Sequence, residues 1–215
     1  MWFVRFDSYM CFSAEASFIS AALLGAAGLY LGNKFWKDRR FLIAITPFMF
    51  AIQQAAEGFL WLGLDGGAYP TAWAFFAQYT YLFFAYLFWP IWIPSIALNA
   101  EVGSRRRKWL KFVLLVGVLV AMFNGFYLFT TFPIQAQVVH HSISYGSKGS
   151  MLAFVYGFSV VAPFFISSLK GLKIVGALIA LSFLIALFAY TYAFTSIWCF
   201  VAVLTTLLFL ITLKR

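Results

Sequence analysis

The sequence predicts an all-α integral membrane protein of seven transmembrane helices, and three observations predict it. Apolar residues fill 64% of the 215 positions and charged residues only 10%, against roughly 25% charged in an average soluble domain. Apolar runs long enough to cross ~30 Å of hydrocarbon recur along the whole chain. The basic residues stand in short clusters between those runs, where topology signals belong. No stretch is left for a separate soluble domain. The expected division is an N-terminal outer segment, residues 1–12, and a single transmembrane domain, residues 13–215.

The opening nine residues lack the apolar core and cleavage site of a signal peptide. Met10 reads as an alternative start. The first span, 13–32, is rich in small residues, with Gly28 and Gly32 in a GxxxG spacing suited to close helix contact. Ser13 and Glu15 at its start read as an N-cap and a first-turn acid. A basic linker, 33–40, leads to the second span, 41–63, and a Gly-rich turn follows at 66–67. The third span, 71–97, is the most aromatic, and Pro90 and Pro94 are expected to kink or end it. A linker at 101–111 holds five basic residues, and the fourth span is expected at 112–131. The longest polar connection, 132–150, carries His140 and His141. Spans five to seven are expected at 151–168, 174–192 and 196–213.

Alternate loops put thirteen of the 15 Lys and Arg residues on one side and leave only Arg5 and Lys148 on the other. The positive-inside rule makes the thirteen cytoplasmic, with the N-terminus outside and the C-terminus inside, in a bacterial inner membrane. The net charge of +9 is thereby a topology signal, and the lipid bilayer, with no nucleic acid, is the partner it implies. No half-chain repeat of the kind used by many transporters is visible.

Chemistry concentrates at Gln53, Gln54 and Glu57, two amides and a carboxylate inside the second span. A carboxylate at bilayer depth costs ~2.5 kcal/mol or more, so it is expected to face the protein interior with a partner or to hold a proton. Phe50, Gln54, Glu57 and Trp61 share one helical face at spacings of four, three and four, with Gln53 at its edge. With the orientation above, Gln78 and Tyr81 of the third span, Asn124 of the fourth, Cys11 before the first and Cys199 of the seventh all fall in the outer half. The expectation is an outward-facing polar pocket around Glu57, lined by Gln53, Gln54, Gln78, Tyr81 and Asn124, with the His140-His141 loop as a cover. Glu57 reads equally as a buried structural group, a base, a metal ligand or a counter-charge.

Adjacent histidines point in different directions, so a metal site using both His140 and His141 is disfavoured against a solvated loop. Cys11 and Cys199 read either as unpaired buried thiols or as a disulfide in an oxidising compartment. A soft-metal site joining a cysteine, Glu57 and a histidine is allowed by the count and unspecified by the spacing, so no cofactor follows.

The string MCFSAEASF at 10–18 resembles the start of an uncharacterised bacterial family of small multi-span membrane proteins. Further matching segments are QQAAEGFLWLGLD at 53–65, YLFFAYLFWPIWIP at 81–94 and TSIWCF at 195–200. The resemblance lends weight to these segments and implies no mechanism. Topology alone is similar to seven-span hydrolases of the alkaline ceramidase type. Their zinc centre needs three histidines, and this chain has two. A retinal protein needs a lysine within the seventh span, and 196–213 has none.

The reading with most support is a protein that binds a small or amphipathic ligand for sensing, carriage or scaffolding. The first alternative is a membrane-embedded enzyme using Glu57 with Cys11, Cys199 or a histidine. The second is a non-catalytic accessory subunit whose partner is another membrane protein.

Overall fold

The computed structural model describes residues 13–65, 71–139, 142–145, 151–169, 171–189, 194–196 and 198–199. The fold is helical. Helix α1 spans Ala14–Lys34, α2 Phe41–Asp65, α3 Ala72–Leu82, α4 Trp89–Ala100, α5 Ser104–Thr130, α6 Met151–Ile166 and α7 Leu172–Ala189. A π-helical stretch, Phe83–Phe88, joins α3 to α4, so that Ala72–Ala100 runs as one span. Five helices are long and apolar enough to cross a membrane: α1, α2, the α3–α4 span, α5 and α7. Helix α6 is apolar but shorter. Of the expected seventh span only Ser196, Trp198 and Cys199 are among the described residues, and all three are helical.

Ser13 caps α1 as expected, its Oγ accepting from the Ala16 N–H at 3.2 Å. The small-residue face of α1 meets α2 at Gly28, where a Cβ would lie 2.4 Å from the Phe48 nitrogen. Gly32 leaves ordinary space, with nothing nearer than 3.9 Å. The close approach is therefore made by one glycine of the GxxxG pair.

Three expectations change. The basic residues 105–111 stand on α5 itself, which begins at Ser104 instead of near residue 112. Arg and Lys are good helix formers whose stems cover apolar surface while their charges reach water. The polar connection after α5 holds a short antiparallel hairpin, β1 Gln137–Val139 with β2 Ser142–Ser144, in a register pairing Val138 with Ile143. The prolines at 90 and 94, finally, do not end the third span, which continues to Ala100.

The reason for that continuity lies in the neighbouring helices. Pro90 has no N–H to offer Tyr86 in an α-turn or Ala85 in a π-turn. Those two carbonyls accept instead from other helices: Asn124 Nδ2 of α5 donates to Tyr86 O at 3.0 Å and the Tyr156 hydroxyl of α6 to Ala85 O at 2.5 Å. Pro94 likewise frees the carbonyl of Pro90. That oxygen sits against Gly117 of α5, where a Cβ would be only 1.8 Å away. Freed backbone groups in membrane helices are re-satisfied by neighbours in this way.

Two large buried clusters result among the described residues, with a small third one of Leu31, Phe35 and Ala44. One gathers Leu24, Ile43, Phe50, Trp89, Ile179 and Phe183. The other gathers Leu60, Trp61, Tyr81, Leu82 and the hairpin residues Ile143 and Tyr145. The linkers at 35–40, 101–103 and 167–169 meet at one end of the bundle. Asn99 Nδ2 donates to Arg39 O at 3.1 Å, and Glu101 accepts from the Ser168 N–H at 2.7 Å and from its hydroxyl at 3.1 Å.

Candidate functional site

The face of α2 read from the spacing is buried as a unit. Phe50, Gln53, Gln54, Glu57 and Trp61 are all below one-tenth exposed, and both glutamines are at 0%. Their polar atoms are tied to other spans. Trp89 Nε1 donates to Gln53 Oε1 at 2.7 Å, and Gln53 Nε2 donates to Cys199 Sγ at 3.2 Å. Ser196 Oγ donates to Glu57 Oε1 at 2.5 Å, and Gln54 Nε2 donates to Glu57 Oε2 at 3.3 Å. The Tyr81 hydroxyl donates to Thr195 O at 3.2 Å. A side-chain network thus joins α2, the α3–α4 span and the segment 194–199. Both Glu57 contacts come from uncharged donors. The Gln54 Oε1 has no partner among the described residues.

Gln78 lies elsewhere in the same layer, donating to Ile134 O at 2.8 Å, while the Tyr79 hydroxyl accepts from the Ile134 N–H at 2.9 Å. These bonds pin the segment before β1 onto α3. Tyr145, just after β2, stacks on Tyr81 with ring centroids 5.2 Å apart and planes at 14°. The hairpin therefore packs over the Tyr81 side of the network. His140 and His141, expected as its cover, lie outside the described residues, as does Cys11. Asn124 stands apart from Glu57 and serves the Tyr86 carbonyl.

An apolar cavity of about 80 Å³ adjoins the network on the side away from the hairpin. Its walls come from the first half of α2, from α4, α6 and α7, and from Trp198 and Cys199. Phe50 and Trp89 form part of that wall as a stacked pair with centroids 3.8 Å apart. Cys199, expected as a free thiol or disulfide partner and not as a pocket residue, lines it. Gln53, Gln54, Glu57, Gln78, Tyr81 and Asn124 do not. The Trp198 indole N–H is buried and without an acceptor among the described residues. A buried donor left unpaired costs ~1–3 kcal/mol.

Over residues 10–215 the sequence matches a family of unknown function, DUF6629. The chain belongs to this family. No curated protein and no solved structure matches it, and no similarity to ceramidases is shown. All four stretches that carried the resemblance fall within the DUF6629 match. Three of them build the network: 53–65 supplies Gln53, Gln54 and Glu57, 81–94 supplies Tyr81 and Trp89, and 195–200 supplies Ser196 and Cys199.

Sequence reasoning missed several members. Trp89 and Trp92 stand in the sequence only as part of the aromatic third span, yet each indole N–H finds a specific acceptor on α2, Gln53 and, at 3.0 Å, Thr46 Oγ1. Glu101 passed as one acid within a basic linker. It is 2% exposed and accepts from the Gly103 N–H, the Ser168 N–H and the Ser168 hydroxyl, joining the start of α5 to the segment after α6. Burial pushes its carboxyl up, but the Gly103 and Ser168 N–H groups, the Ser168 hydroxyl and the Arg106 charge outweigh burial and hold it below the ordinary range. Among the described residues no group of three His, Cys, Asp or Glu side chains is placed to hold a metal ion.

Proposed function

We propose that this chain is a seven-span protein of the bacterial inner membrane, N-terminus outside and C-terminus cytoplasmic, that binds a small or amphipathic lipophilic ligand. The observation that carries the binding reading is the apolar cavity with the partnerless Trp198 indole in its wall. An apolar ligand body would replace empty space, and an oxygen acceptor on it would take the Trp198 N–H. The Gln53–Trp89–Cys199 ties give the site a fixed polar end, so Glu57 and its partners hold the cavity's roof and do not touch the ligand. The orientation rests on charge counting, and it is supported by the basic 35–40 linker and the start of the basic α5 lying at one end of the bundle, where Asn99 bonds Arg39 and Glu101 bonds Ser168.

The test is native mass spectrometry and lipid extraction of the purified full chain. A stoichiometric lipophile is expected on the wild type. It should be lost in Val160→Phe, which fills the cavity, and weakened in Trp198→Phe, which keeps the ring and deletes the donor. Retention of the same lipophile by both folded variants, or its absence from the wild type, rejects the reading.

A second reading is favoured by one contact. The Ser196–Glu57 pair, hydroxyl on carboxyl at 2.5 Å, is the arrangement of a base-activated nucleophile. Both residues are buried, at 0% and 2% exposure, so a substrate would have to open the network to reach them.

A further inference from the structure

A second concavity lies on the outer face of α5, α6 and α7, separate from the cavity above. It is a surface groove of about 700 Å³ whose walls include Trp109, Phe112, Phe158, Phe165, Ala180 and Leu184. Trp109, Phe112, Phe158, Phe165 and Leu184 are each more than 40% exposed. The groove owes depth to two glycines. A Cβ on Gly157 would come 2.8 Å from the Phe183 ring, and one on Gly176 2.6 Å from the Phe164 Cβ, so α6 and α7 close tightly beneath it.

The residues that line the groove are apolar, and the helix faces of two of its walls continue beyond one end to basic residues. On α5, Arg105, Trp109 and Phe112 share a face at spacings of four and three. On α7, Lys173, Ala180 and Leu184 share a face at spacings of seven and four. The Glu101–Ser168 bonds hold the linkers that precede α5 and α7 together, so both helices start at the same end. By register Arg105 stands one turn before Trp109 and Lys173 two turns before Ala180, both beyond the same end of the lined groove. Both are exposed, and neither has an ion-pair partner among the described residues. The acid nearest in sequence, Glu101, is occupied by Gly103 and Ser168.

We infer that this groove is a binding site for an anionic phospholipid, with the phosphate between Arg105 and Lys173 and an acyl chain laid along the aromatic wall. Lengths agree. From Lys173 to Leu184 a helix rises ~16 Å, about half of the ~30 Å hydrocarbon core. The mouth thus sits at headgroup depth and the far end near the midplane. Charge selects the lipid class: a zwitterionic headgroup brings no net charge to two cations, whereas an anionic one gains ~1 kcal/mol from each. The amino-terminal ends of α5 and α7 add a positive field at the same place.

The experiment is native mass spectrometry of the full chain from nanodiscs of mixed phosphatidylglycerol and phosphatidylcholine. The wild type is expected to keep phosphatidylglycerol over phosphatidylcholine by about thirtyfold, the equivalent of ~1 kcal/mol from each of two cations. Arg105→Gln with Lys173→Gln should abolish that preference, and Arg105→Lys with Lys173→Arg should keep it. Lys34→Gln with Lys37→Gln, which removes the same charge elsewhere, should also keep it. Inorganic phosphate added at millimolar concentration should not displace the lipid, because the groove holds its chain. Three results overturn the assignment: equal preference in wild type and the Arg105/Lys173 glutamine variant, equal loss in the Lys34/Lys37 variant, or a protein partner or second copy covering Trp109 in place of lipid.

Discussion

Gly117→Ala tests the packing that lets a span with two prolines continue to Ala100. The added methyl would lie 1.8 Å from the Pro90 carbonyl oxygen and 2.8 Å from its carbon, whereas ordinary contact begins at 3.4 Å. Helices α4 and α5 must therefore part by about 1.6 Å at this level, and the obstacle is backbone, which has no rotamer to swing away. Overpacking of a well-packed site costs about 1–3 kcal/mol, and a backbone clash belongs at the upper end. Alanine returns about 1 kcal/mol through helix propensity. The net expectation is a loss of about 2 kcal/mol, or roughly 4–8 °C in Tm for a chain of this length. The measurement is thermal unfolding of the purified protein in detergent, followed by near-UV circular dichroism. Gly125→Ala, eight residues along the same helix, is the internal control, since its Cβ would meet only Leu87 Cδ2 at 3.7 Å. It should leave Tm unchanged or raise it. A Gly117→Ala protein as stable as wild type, or equal losses at both positions, would refute the close approach of α5 to the Pro90 carbonyl.

Two further outcomes are expected. Glu101→Gln should lessen the acid sensitivity of the fold. A carboxyl held below its ordinary value of 4.5 stabilises the native state above that value and loses the contribution as pH falls through the lowered one. Thermal scans from pH 6 to pH 3 should then show a steeper fall in wild type than in the glutamine variant, and parallel curves would sink this role for Glu101. At the network, Glu57→Gln should fold within about 1 kcal/mol of wild type, because an amide of the same shape keeps an acceptor for Ser196 or Gln54. Glu57→Ala should lose about 2–4 kcal/mol through an emptied volume and orphaned donors. Equal stability of the alanine variant and wild type, by the same unfolding assay, would show that Glu57 is not a tie between spans.

What the sequence made legible follows from periodicity. A helix repeats every 3.6 residues, so Phe50, Gln54, Glu57 and Trp61 had to share a face, and the cost of a carboxyl in hydrocarbon required that face to be buried. Five of the expected spans have the length and apolarity to cross a membrane by the same kind of reasoning. The partners were not legible, because nothing local specifies which face a distant helix turns inward. Ser196 reaches Glu57 across 139 residues and Cys199 reaches Gln53 across 146. Proline shows the divide within a single residue. That Pro90 would orphan a carbonyl follows from its ring, but that Asn124 and Tyr156 would answer it follows only from how α5 and α6 pack. Asn124 was therefore grouped with Glu57 by depth, although its hydrogen bond belongs to the backbone of the third span.

The same divide separates the residue with the most conspicuous chemistry from the space a ligand could fill. A buried acid in a membrane helix demands donors, and once Ser196 and Gln54 supply them the surrounding volume closes. Open volume survives along the first half of α2 and its neighbours, where the lining is almost wholly apolar and the Trp92–Thr46 bond is the polar tie at its edge. Trp89 and Cys199 belong to both regions, bonded to Gln53 on one side and lining the cavity on the other. A change in what fills the cavity would therefore act on Gln53 through these two side chains, which gives a ligand a physical route to the tie between the second span and the segment 194–199.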